Sequence, residues 1–133
     1  MTITIINDCR DANAAGRQVT RTAALFGQLG PTAGGTVNFI GVRNSLEAGG
    51  NLIDTIDALG DMPGVILLNV APRNGHARKW GNGTPFGYFR YKEILVVISI
   101  DGYSLSLVKR FKLTDVVKLM DTKSAVEHMV ASG

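Results

Sequence analysis

The stretch TITIIND, residues 2–8, decides how the rest of the chain is read. It is short, β-branched and almost wholly apolar until Asn7 and Asp8. A run of that kind suits a strand covered on both faces, the habit of parallel sheets rather than of one-sided antiparallel ones. A parallel sheet needs crossover helices, and the next segment supplies one. ANAAGRQVTRTAALFGQLG (12–30) has helical spacing, with Ala15, Val19, Ala23 and Phe26 on one face and Arg17 and Arg21 on another. Asp11 is the expected N-cap, and LGPTAGG (29–35) is a stop followed by a loop.

The pattern then repeats. TVNFIGV (36–42) reads as a second strand and SLEAGGNLIDTIDALG (45–60) as a second helix, with Ser45 as its N-cap and Leu52, Ile56 and Leu59 as its apolar stripe. Gly49 and Gly50 inside that helix each weaken it by about 1 kcal/mol relative to Ala, and are expected to permit close approach to the sheet or a ligand. GVILLNV (64–70) is the third strand. GYFRYK (87–92) and EILVVISI (93–100) are further strands suited to a hairpin. SLSLVKRF (104–111) reads as a short helix, DVVKLMD (115–121) as a short strand and KSAVEHMVASG (123–133) as a terminal helix. Alternating strands and helices predict an α/β fold, a three-layer sandwich with a mostly parallel central sheet flanked by helices.

The chain has 133 residues, which fits a single α/β domain over 1–133 with one sizeable core. An apolar fraction of 45% argues against disorder, and no apolar run approaches a membrane span. The N-terminus lacks the pattern of a signal peptide, and one cysteine, Cys9, cannot build a disulfide framework. The expected setting is therefore cytoplasmic, with no membrane partner. The net charge of +3 is spread thinly, and without a nucleic-acid motif it does not point to nucleic acid.

In an open α/β sheet, ligands bind beyond the carboxyl ends of the strands. The polar residues gather at those ends. The first strand gives Asn7, Asp8 and, shortly after, Asp11. The second gives Arg43, Asn44 and Ser45, and the third Asn69, Arg73 and Asn74. The strand from Ile94 gives Ser99, Asp101 and Ser104. Each cluster has two readings, since Asp, Asn and Ser also cap helices. Caps do not call for Arg43, Arg73 and Arg78 nearby, however. A carboxylate such as Asp8 suits the two hydroxyls of a ribose. Asn side chains and backbone amides suit a purine edge. Trp80, Phe86, Tyr88 or Phe89 could stack on a base, and core packing is the competing role for these aromatics.

Several chemistries lack their residues. There is no GxxxxGK[ST], no GxGxxG and no GxSxG. His76 and His128 lack ligand spacing, so no metal and no cofactor is expected. Cys9 is expected to be a buried, inert thiol.

With its pieces in this order, the chain resembles the N-terminal domain of the adenosine-forming S-adenosylmethionine (SAM) hydrolases. These are also called SAM hydroxide adenosyltransferases and are relatives of fluorinase and chlorinase. The resemblance rests on IIND (5–8), VRNSLEAGGNLID (42–54), ILLNVAPRNGHAR (66–78) and ISIDGYSLSLV (98–108). It implies a ribose-binding role for Asp8, and places the arginine of the family's water-positioning triad on Arg78. The triad's aspartate falls on Ala71, and its histidine has only His76 as a local candidate. Backbone amides of Asn74 and Gly75 would hold the attacking anion beside Arg78. Asp8, Asn7, Asp11, Asn44, Ser45, Asn69, Arg73, Trp80 and Asp101 would line the substrate pocket. The family's C-terminal domain is absent from this sequence. The resemblance thus implies either a homo-oligomer, a trimer in the family, or a separate chain that completes the site.

Three functions follow as expectations. The first is hydrolysis of SAM, as substrate, to adenosine and methionine by displacement at the 5′ carbon. The second is a non-catalytic module that binds SAM or adenosine, a reading that Ala71 favours. The third is a Mg²⁺-dependent phosphoryl hydrolase using Asp8, Asp11 and Asp101.

Overall fold

The computed structural model of the chain describes residues 1–31, 33–70, 86–100, 108–110 and 118–119. Its elements run β1 (Thr2–Asn7), α1 (Ala12–Gln28), β2 (Thr36–Gly41), α2 (Ser45–Leu59), β3 (Gly64–Asn69), β4 (Phe86–Tyr91), β5 (Ile94–Ser99) and β6 (Lys118–Leu119). The fold is α/β. The strands form a six-stranded sheet in the order β2-β1-β3-β5-β4-β6. β1 pairs parallel with β2 and β3, and β3 pairs parallel with β5. β4 runs antiparallel to β5 and to β6, so the expected hairpin is present. Of the segments expected at 104–111 and 115–121, residues 108–110 are helical and 118–119 extended. The helix expected at 123–133 lies outside the described residues.

The apolar run that opens the chain is buried on both faces, with Ile3 and Ile6 at 0% and Ile5 at 4% exposure. Ile6 joins Ile66, Leu68, Val96 and Ile98 in one core cluster with Ala48, Leu52 and Ile56 of α2. Asn7, the next residue, donates from Nδ2 to Oε1 of Gln18 on α1 at 3.2 Å. Adjacent strand residues point to opposite faces, so α1 and α2 lie on opposite faces of the sheet. The topology requires this. The steps β1 to β2 and β2 to β3 run in opposite directions across the sheet, and right-handed crossovers then put their helices on opposite sides.

The two helical layers are unequal. α2 packs against β1 and β3, near the middle of the sheet, and buries Leu52 and Ile56, with Leu59 partly covered. α1 packs chiefly on the edge strand β2, and none of its 17 residues is buried. Of its predicted inner face, Ala15, Val19 and Phe26 are half-buried. Ala23 is exposed instead, and Thr22 takes the sheet-facing place. An edge strand offers cover from one side only, so a helix seated on it keeps part of its apolar stripe in solvent. On this same face of the sheet Leu67, Leu95 and Val97 are half-buried.

Both helices are capped by their own sequence. The Asp11 carboxylate accepts from the backbone N–H of Asn13 at 2.9 Å and of Ala14 at 3.3 Å, as expected. For α2 the cap is Asn44 rather than Ser45. Asn44 Oδ1 accepts from the Glu47 N–H at 2.9 Å, while Ser45 is already the first helical residue. Two cap-competent residues stand in tandem, and the one with extended backbone (φ −160°, ψ 174°) takes the role. α2 ends at Gly60, whose φ of 59° is the left-handed region that favours glycine.

The α2 glycines divide. Gly49 is on the buried face, but a Cβ on exposed Gly50 would meet nothing within 4 Å. Gly50→Ala is therefore expected to stabilise the protein by about 0.5–1 kcal/mol, because the exposed helix interior gains the better helix former at no steric penalty. Urea titration checks this, and a lower midpoint would show that the position meets a constraint other than helix propensity.

At the β4–β5 turn, Lys92 has φ 52° and its Nζ lies 3.2 Å from Oδ1 of Asp61. The hydrogen bond and charge of Asp61 raise the Lys92 ammonium above its ordinary pKa of 10.5. Any stability it contributes is present below that ordinary value and lost as pH rises through the raised one. Both groups are well exposed, so screening keeps the pair weak. Among the described residues, no helix is long and apolar enough to cross a membrane.

Candidate functional site

Four parallel strands end at one rim. Asn7 of β1 stands opposite Gly41 of β2 and Asn69 of β3. Leu68 stands opposite Ile98, so Asn69 and Ser99 close β3 and β5 at the same level. The strand that follows β1 in sequence is β2, on one side of it, and the strand that follows β3 is β4, beyond β5 on the other side, so the two connections run in opposite directions across the sheet. Where connections diverge in this way, a crevice opens between the carboxyl ends of the two strands. Asn7 and Asn69, partners in register, mark its two sides.

Asn7 is 8% exposed and its amide is engaged twice. Oδ1 accepts from the Cys9 N–H at 2.8 Å, which turns the chain as it leaves β1, and Nδ2 reaches Gln18. That turn sets Asp8 and Cys9 half-buried at the mouth of the crevice. Cys9 is thus not the buried thiol expected from sequence; its Sγ donates to the Asp11 carbonyl at 3.5 Å. Asn69 is exposed on the opposite side.

The other predicted residues of the rim divide by role. Asp11 and Asn44 act as helix caps. Arg43 pairs through Nε with Glu47 Oε2 at 3.1 Å. Ser45 is 8% exposed and turned inward. The structure therefore brings Asn7, Asp8, Asp11, Asn44, Ser45 and Asn69 to one end of the sheet, and gives Asp11 and Asn44 the structural role. Arg73, Asn74, Gly75, Arg78, Trp80 and Asp101 lie outside the described residues, as do His76, Ser104 and His128. Of the candidate aromatics on β4, Phe89 is a core residue at 4% exposure. Tyr88 and Phe86 sit on a strand separated from β3 by β5, away from the crevice.

Ser99 has a function that its type did not disclose. It is fully buried, and its Oγ accepts from the Val70 N–H at 3.1 Å and donates to the Val70 carbonyl at 3.4 Å. One hydroxyl thus ties down both polar groups of the residue after β3. Gln18 was also missed. The signal was there, in a polar side chain on the sheet-facing side of an amphipathic helix, one turn beyond Ala14.

The rim also receives the N-termini of α1 and α2, since each helix follows directly from the carboxyl end of β1 or β2. Such ends favour negative charge. A shallow depression of about 740 Å³ lies elsewhere, along the outer side of α1 over Gly16, Arg17, Thr20 and Arg21. It is lined by residues of one helix alone, so the crevice, to which several strands contribute, is the better candidate. Among the described residues, no group of three or more His, Cys, Asp and Glu side chains could hold a metal ion. No protein-family model matches this chain, and no curated protein matches it.

Proposed function

We propose that this chain binds SAM in the crevice between β1 and β3 and hydrolyses it to adenosine and methionine. The observation that carries the reading is the pairing of Asn7 with Asn69 across the point where the connections diverge, with Asp8 following at the mouth. A carboxylate there suits the 2′ and 3′ hydroxyls of a ribose. The exposed Asn69 amide suits a purine edge, with Asn7 shaping the turn that presents Asp8, and the nearby helix N-termini suit the methionine carboxylate. The resemblance set out above points to the same ligand and the same aspartate.

The reaction needs a water or hydroxide held in line with the bond from the 5′ carbon to sulfur. The oxygen forms its bond to carbon as the sulfonium takes the electron pair and leaves as the thioether of methionine. Such positioning contributes about 7–11 kcal/mol of barrier lowering in well-oriented systems. In this reading Arg78 and the amides of Asn74 and Gly75 hold the nucleophile, and Ser99 fixes Val70, which precedes them in the chain. Completion of the site by a further copy or a separate chain belongs to the same proposal, and Cys9 as the only cysteine fits a reducing, cytoplasmic setting.

One feature favours a binding-only variant, namely Ala71 at the place of the family's triad aspartate. Calorimetry with SAM, with adenosine and methionine followed by chromatography, separates the two. Release of both products without added metal is the expected result. Binding without products selects the binding-only form, and absence of binding ends the proposal. Asp8→Ala is expected to abolish detectable binding, and unchanged affinity would remove Asp8 from the ribose.

A further inference from the structure

We propose that two copies of this chain pair through the outer edge of β2, joining their sheets into one continuous sheet about a two-fold axis, with the two α1 helices packed side by side across the join. The inference is independent of what the crevice binds.

It starts from the backbone of β2. Among the described residues β2 has a strand on one side only, β1. The Val42 N–H donates to the Asn7 carbonyl at 3.0 Å, so Val42 faces β1. N–H and C=O groups alternate from side to side along a strand. Ile40 and Asn38 therefore also face β1, and Val37, Phe39 and Gly41 present their N–H and C=O groups outward. Natural edge strands are protected by charged side chains, prolines or bulges. Thr36–Gly41 has no charged residue and no proline, and its register with β1 runs unbroken from Thr2↔Thr36 to Asn7↔Gly41.

Such an edge fits a second copy of itself. Antiparallel pairing centred on Phe39 sets Phe39 opposite Phe39 and Val37 opposite Gly41, so every outward group finds a partner. Because no side chain in the strand carries charge, the identical edges meet without repulsion. The pairing is two-fold by construction.

α1 supplies the second observation. Gln18 points from α1 toward β1, which fixes the helix's rotation. At 100° per residue, the side turned toward the open edge carries Ala12, Gly16, Val19, Ala23 and Gly27. These residues are small or apolar, and Cβ atoms on Gly16 or Gly27 would meet nothing within 4 Å. Arg17 and Arg21 point away from that side. Joining two β2 edges brings one α1 beside the other. This contact accounts for the exposure of Ala23, the residue that interrupts α1's predicted inner face.

The test is light scattering of the full chain over a range of concentrations, with residue-resolved amide exchange. The expected mass is twice the 14.2 kDa of one chain. In the dimer the amides of Val37 and Phe39 should be protected, and dilution should release them while those of Asn38 and Ile40 stay protected. Ala23→Glu and Asn38→Lys both alter exposed positions and should each raise the dimer dissociation constant about tenfold or more, leaving the monomer folded by circular dichroism. A monomer at all concentrations, a trimer as the resemblance implies, or a dimer in which Val37 and Phe39 exchange freely would each overturn the proposal.

Discussion

Leu68→Ala should destabilise the protein by about 2–5 kcal/mol, and Leu67→Ala by less than about 1.5 kcal/mol, although the two are neighbours on one strand. Leu68 is 0% exposed and packs in the cluster that α2 closes over Ile6, Ile66 and Ile98. Its truncation leaves a cavity between sheet and helix that neither can collapse into, so the transfer and cavity contributions add. Leu67 points to the other face and is half-buried, so truncation there loses part of a side chain's burial and opens no closed void. Urea denaturation of both variants reads the difference. Equal losses would mean that the α1 side of the sheet is covered as fully as the α2 side, contrary to the unequal layers described above.

Ser99→Val should destabilise by about 1–3 kcal/mol for each backbone group of Val70 left without a partner. Valine and threonine match in shape and both add one methyl group to this buried site, so the difference between Ser99→Val and Ser99→Thr isolates the hydrogen bonds from the added bulk. Ser99 and Val70 are 0% and 1% exposed, which leaves water little access to replace the missing hydroxyl. Ser99→Thr keeps the hydroxyl and should recover most of the stability. If Ser99→Val melts with the parent protein, the tie between β5 and the exit of β3 contributes nothing. The pair of variants also bears on the crevice: Ser99→Val should weaken SAM binding more than Ser99→Thr does, because Val70 leads directly into the segment proposed to hold the nucleophile.

The legible parts of this fold were those with a local cause. The β-branched run at Thr2–Ile6 announced a strand buried on both faces, and Asp11 announced the start of α1. The parallel pairing that gathers polar strand ends at one rim followed from the alternation of elements. What stayed hidden depends on contacts distant in sequence. The order of strands, and hence the position of the crevice between β1 and β3, has no local signature. Asn44 and Ser45 are both competent caps, and only the backbone angles of the turn choose between them. Ala23 belongs to the apolar periodicity of α1, but its exposure depends on the helix being seated at the sheet's margin. Asn7 and Asp8 were read as ligand groups from their place at a strand end. Asn7 proved also to shape the turn that presents Asp8.

The central place of β1 constrains how the chain acquires its structure. Both neighbours of β1 come later in sequence, β2 after α1 and β3 after α2. The β4–β5 hairpin needs only a two-residue connection and forms early. β1, by contrast, completes its ladder only when a loop of some sixty residues has closed, and non-local closure of that kind slows the search for the native state. Until then Ile3, Ile5 and Ile6, all buried in the folded chain, lack the cover of one neighbouring strand.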